Sequence, residues 1–76
     1  MEIKGFIENF IEQFEDEPTC EITAETVFRD IDGWSSIVAL SVMSMIDDEY
    51  DVQLNGNDMR QANTIQELFY IVSAKK

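Results

Sequence analysis

The chain has 76 residues, enough for one small domain, because a chain this short buries only about 60% of its unfolded surface and cannot support two cores. With 45% hydrophobic and 28% charged residues, and apolar positions that recur periodically, residues 1–76 read as a single folded domain and not as a disordered chain. A formal charge of −11 repels phosphate backbones and anionic lipid headgroups, so neither nucleic acid nor a membrane is expected as a partner. The lone cysteine, Cys20, has no intrachain partner, and without histidine there is no Cys/His cluster, so no metal centre is expected and a reducing cytoplasm suits the composition. Missing histidine also removes the commonest general base, and so small a body leaves little room for an enclosed active site; an enzyme is not expected.

Ile3, Phe6, Ile7, Phe10, Ile11 and Phe14 recur at helical spacing, which predicts a first helix over residues 2–15. Lys4 is the one early basic residue and Glu8 and Glu12 interrupt the apolar positions, so no signal-peptide core is expected. The acidic stretch 15–21 carries the only proline, Pro18, and should end that helix and open a long loop. In that loop Thr23 could cap a short turn, and Ile22, Val27, Phe28 and Ile31 should pin the connection to the core. Asp32-Gly33-Trp34 is turn-like, and Ser35 or Ser36 stands at the N-cap of a second helix over 36–50, with Ile37, Leu40, Met43, Ile46 and Tyr50 as its expected core stripe. The apolar-leaning stretch within it, Ile37 to Ile46, is far short of a membrane span.

Gly56 interrupts the pattern, and Asn57 or Asp58 can cap a short third helix through Met59 and Ala62. Thr64-Ile65-Gln66-Glu67 has the spacing of a capping box and opens a fourth helix carrying Ile65, Leu68, Phe69 and Val72, with Lys75 and Lys76 suiting its negative end. No alternating strand or repeat is present. The predicted fold class is all-α, a small four-helix bundle of three longer helices and one short one.

Clustered carboxylates invite a test for calcium, and both loops fail it. With Gly33 as the turn glycine, Phe28 and Ala39 would occupy ligand positions; with Gly56, Ala62 would take the last one. Cys20 lies between Glu17 and Glu21, whose charge disfavours a thiolate, so it reads as a bystander. Trp34 either binds a partner or seals the edge of the core. Ser36 stands at the mouth of a helix, where a phosphodiester would meet unpaired N–H donors and the positive dipole end; spacing alone favours the simpler reading that Ser35 and Ser36 merely cap the helix.

The run Asp32-Gly33-Trp34-Ser35-Ser36-Ile37-Val38-Ala39-Leu40, continuing through Met45-Ile46-Asp47-Asp48-Glu49-Tyr50-Asp51-Val52, resembles an acyl carrier protein around its prosthetic-group serine. The family pattern is Asp-Ser-Leu, then a helix ending in an acidic cluster and an aromatic. Ser36 matches the serine, Ile37 the leucine, Asp47-Asp48-Glu49 the cluster and Tyr50 the aromatic, and Thr64 to Leu68 resembles the opening of the family's last helix.

By this resemblance Ser36 would carry 4′-phosphopantetheine, whose thiol holds an acyl or aminoacyl group as a thioester, in fatty-acid or specialised biosynthesis. The implied partners are a phosphopantetheinyl transferase and acyl-loading and acyl-transferring enzymes with basic docking patches, met by a cytoplasmic monomer through Asp32, Trp34, Ser35, Ile37, Val38, Ser41, Met45, Asp47 and Asp48. Two positions depart from the pattern. Ser35 replaces the aspartate that, in the family, helps the transferase hold magnesium, and Val38 and Ser41 replace acidic residues early on the helix. The alternative is an unmodified interaction module of the same fold that works by docking alone.

Overall fold

The computed structural model describes residues 2–15 and 21–75. Four helices run in chain order: α1 Ile3–Ile11, α2 Ser36–Tyr50, α3 Gly56–Gln61 and α4 Ile65–Lys75, with a 3₁₀ turn at Phe28–Asp30 before α2. The described residues contain no strand; Val27 and Thr64 form one isolated antiparallel bridge. The all-α bundle anticipated from periodicity is the fold observed.

α1 stops short of its predicted end. Past Ile11 the chain tightens, with Gln13 N–H donating to the Phe10 carbonyl and Phe14 N–H to the Ile11 carbonyl, each at 3.1 Å. These i to i−3 bonds turn Phe14 into the core with Phe6 and Phe10, so its apolar period survives although the α-helix does not. Pro18 and Cys20, expected to end the helix and to lie idle, fall outside the described residues.

Loop residues 24–28 lie along the start of α4. Gln66 N–H donates to the Ala24 carbonyl at 2.9 Å and Ile65 N–H to the Thr26 carbonyl at 3.2 Å, satisfying donors that open α4 without intrahelical partners, and Phe28 N–H returns a bond to the Asn63 carbonyl at 3.3 Å. The capping box is present: Glu67 N–H donates to Thr64 Oγ1 at 3.1 Å and Thr64 N–H to Glu67 Oε1 at 3.0 Å. Phe28 and Ile31 are buried as anticipated and Ile22 is half-buried, but Val27 stays 38% exposed because its backbone faces Thr64. Thr23 does organise a turn, accepting from Glu25 N–H at 3.3 Å.

α2 occupies the predicted residues, and Ile46, with Met43 and Tyr50 half-buried, faces inward as expected, but Ile37 and Leu40 of the predicted stripe do not. Its buried residues are Val38, Val42, Met45 and Ile46, while Ile37 and Leu40 are 76% and 64% exposed. Steps of three fall short of the roughly 3.6-residue turn, so a stripe from Ile37 through Leu40 and Met43 drifts backwards, and Ile37 ends on the opposite side of the helix from Ile46. Val38-Val42-Met45 alternates steps of four and three and stays in phase. α3 is capped two residues before the first predicted cap, by Asn55 and not by Asn57 or Asp58: Asp58 N–H donates to Asn55 Oδ1 at 2.9 Å and Asn55 N–H to Asp58 Oδ2 at 3.1 Å. Aspartate at the third helical position completes a box usually recognised by Glu or Gln.

Candidate functional site

The approach to α2 starts from a tight turn. Trp34 N–H donates to the Ile31 carbonyl at 3.0 Å, and Gly33 between them has φ +93°, a left-handed conformation that costs glycine little. Trp34 is half-buried. Its indole stacks on Phe10, with centroids 5.9 Å apart and planes inclined by 4°, and meets Phe28 at 5.0 Å and Phe14 at 6.1 Å. Of the two sequence readings of Trp34, sealing the core edge is the one the packing supports, and the rings leave only part of the indole as a surface.

Ser35 is extended, at φ −153° and ψ 173°, and is the N-cap: Val38 N–H donates to its Oγ at 3.3 Å and Ala39 N–H to its carbonyl at 2.9 Å. Ser36 is therefore the first helical residue, exposed, and its hydroxyl takes part in none of the hydrogen bonds among the described residues. The N–H groups of Ser36 and Ile37 precede the first intrahelical bond and face the helix mouth without backbone acceptors. The two adjacent serines thus differ: Ser35 closes the helix, and Ser36 leaves its hydroxyl exposed beside open donors and the positive dipole end.

The family model described as "Phosphopantetheine attachment site" matches residues 6–69, most of the chain. The chain belongs to this family. Comparison with curated proteins and with solved structures gives no match. Domains of the phosphopantetheine attachment family are non-catalytic carriers with a covalently attached 4′-phosphopantetheine group, and they work with a phosphopantetheinyl transferase and partner enzymes. A phosphodiester on an exposed serine is compatible with this helix mouth: the hydroxyl is clear of the core, the cap is supplied by its neighbour, and nearby N–H groups suit an anion.

The docking residues anticipated from sequence separate into two groups. Asp32, Ser35, Ile37, Asp47 and Asp48 are exposed and Ser41 is half-buried on α2, so all remain available to a partner of this carrier domain. Val38 and Met45 do not: they are 6% and 7% exposed and belong to the core, because they share the inward phase with Val42. Leu40 was assigned to the core and instead lies outside, one turn beyond Ser36 and near Ile37. Its signal was the phase of the stripe: spacing of three repeatedly underwinds a helix.

Charge is distributed asymmetrically around α2. Asp47, Asp48, Glu49 and Asp51 gather at its C-terminal end, where no basic residue occupies the last turn. Two of the cations, Arg29 and Lys75, are engaged elsewhere. Arg29 donates to the Met59 carbonyl at 3.0 Å, the Ala62 carbonyl at 2.8 Å and Asn63 Oδ1 at 2.7 Å, and Lys75 pairs with Asp58 at 3.3 Å, the one ion pair among the described residues. The acidic end of α2 is accordingly left open to external cationic groups. Glu67 is held below the usual carboxylate range, chiefly because the Asn63 N–H donates to it, with further help from the Thr64 N–H and the Arg29 charge. Among the described residues no group of His, Cys, Asp and Glu has the arrangement to hold a metal ion, and no helix is long and apolar enough to cross a membrane.

Proposed function

We propose that Ser36 bears the 4′-phosphopantetheine group and that residues 1–76 act as one carrier domain. The cargo is an acyl or aminoacyl group, and the setting is fatty-acid or specialised biosynthesis in the cytoplasm. One observation carries this reading: the Ser36 hydroxyl is exposed and uncommitted while Ser35 caps the helix. When attached, the group supplies a terminal thiol that holds the cargo as a thioester. The chain's own residues present the serine, place two N–H donors beside its substituent and keep the bundle closed.

Asp32, Asp47 and Asp48 favour encounter with basic patches on the transferase and on acyl-loading and acyl-transferring enzymes, while exposed Ile37 supplies apolar contact close to the attachment point. The domain works as a monomer in these encounters. Co-expression with a broad-specificity phosphopantetheinyl transferase, followed by intact mass and peptide mapping, tests the assignment. Wild type should gain one phosphopantetheine on Ser36 and Ser36→Ala should gain none. An arm on Ser35, or continued modification of Ser36→Ala, overturns it. The alternative, an unmodified docking module, draws support from the exposed Ile37 and Leu40 and requires the mass to stay unchanged.

A further inference from the structure

The residues that lead into α2 have few ties to the rest of the fold. Asp32, Gly33 and Ser35 are exposed, so Trp34 is the one side chain between 32 and 35 that reaches the interior. The remaining constraints are local. The turn bond joins Trp34 N–H to Ile31 and the cap bond joins Val38 N–H to Ser35, so neither connects the approach to α1. The indole does. It lies flat on Phe10, touches Phe14 beyond it, and packs against Phe28 of the 3₁₀ turn, bringing two elements to bear on a point two residues before Ser36. A stacked indole has two side-chain torsions to fix and a large contact area, so it locates its own backbone at low entropic cost.

We propose that Trp34 is a positioning residue for Ser36: by stacking into the Phe10, Phe14 and Phe28 pocket it fixes the entry of α2 and thereby the aim of the Ser36 hydroxyl towards the modifying enzyme. This rests on Ser36 as the attachment site, and it assigns Trp34 a role towards that site that a residue merely filling the core edge would not have. A core filler would, on removal, loosen the bundle evenly. A positioning residue loosens the first turn of α2 ahead of the remainder of the same helix.

Hydrogen exchange of the full chain distinguishes these outcomes without the attached group. The amides of Val38 and Ala39, held by Ser35 Oγ and the Ser35 carbonyl, report the first turn, and the Ile46 amide reports the far half. Trp34→Leu keeps apolar bulk and loses the stack; Trp34→Phe keeps a ring; Val72→Ala, a buried α4 position, serves as an evenly destabilised control. In Trp34→Leu the protection of Val38 and Ala39 relative to Ile46 should fall about tenfold, in Trp34→Phe by about two- to threefold, and in Val72→Ala not at all.

Attachment kinetics give the second readout. The kcat for modification of Trp34→Leu should fall while KM stays near the wild-type value, because the fully exposed docking residues Asp32, Ile37, Asp47 and Asp48 are untouched and Trp34 itself is largely turned into the core, and Trp34→Phe should recover most of the rate. An unchanged protection ratio in Trp34→Leu, or kcat equal to wild type, overturns the proposal; if that variant does not fold, an unchanged ratio in Trp34→Phe overturns it. A wild-type chain that takes no group on Ser36 instead refutes the attachment site, and the exchange ratio still decides whether Trp34 orders the first turn.

Discussion

Asp51 carries two unfavourable features at once. It ends α2 in the left-handed region, at φ 56° and ψ 41°, with its N–H on the Asp47 carbonyl at 3.1 Å. Its carboxylate also stands at the negative end of the helix, beyond Asp47, Asp48 and Glu49, with no cation in the last turn. An Asp51→Asn substitution preserves tolerance of the left-handed conformation and removes the charge alone. Charge opposed to a helix end costs about 0.3–1 kcal/mol at low ionic strength, and about 1 kcal/mol moves the Tm of a domain this size by about 4–8 °C, so a rise of about 1–8 °C is expected.

Asp51→Gly removes charge and strain together but returns roughly 0.5–1 kcal/mol in chain entropy, which places it near Asn. Thermal unfolding followed by circular dichroism at low and high salt measures the effect. The gain for Asn should shrink as salt rises, because the Debye length falls from about 30 Å at 0.01 M to about 3 Å at 1 M. An unchanged or lower Tm for Asp51→Asn at low salt would refute the electrostatic reasoning.

Wild-type Tm itself should climb from low to moderate ionic strength, since eleven net negative charges repel one another on a small body; a flat profile in salt-dependent melts would contradict this. Ser35→Asp should keep the α2 cap, changing stability by less than about 1 kcal/mol, and should speed attachment by a conventional transferase; equal rates for the two proteins, read by intact mass over time, would show that Ser35 is no handicap. The depressed Glu67 pKa gives stability that is present above the ordinary carboxylate value of 4.5 and is lost as pH falls through the lower folded-state value. Acid melts of Glu67→Gln should therefore lose part of the wild-type slope below that pH, and an identical slope would remove Glu67 from the explanation.

Local rules revealed most of the architecture. The Thr64 to Glu67 box lies within one turn, α2 begins at a pair of serines, and Phe28 and Ile31 are too apolar to remain in water, so each is readable from a few neighbouring residues. The inward face of α2 was less legible because apolar residues surround much of that helix. Val38 and Ile37 are adjacent in sequence yet face the core and solvent respectively, and only packing against the other helices selects between them. Tertiary contacts also decide features that no local pattern carries. Arg29 reaches acceptors at residues 59 to 63, and Phe14 remains buried after its helix has ended. At the site, the position of Ser36 was visible as a helix-start serine, but which of two serines makes the cap depended on the extended backbone of Ser35.

The separation of capping from presentation at this helix mouth has a cellular consequence. Loss of the Ser36 hydroxyl removes no described hydrogen bond and no buried atom, and it leaves Ile37, Asp47 and Asp48 where partners would meet them. On the proposed function, Ser36→Ala is a well-folded decoy: produced in excess, it should occupy the same enzymes as the loaded protein and return nothing, one oxygen atom short of a shuttle.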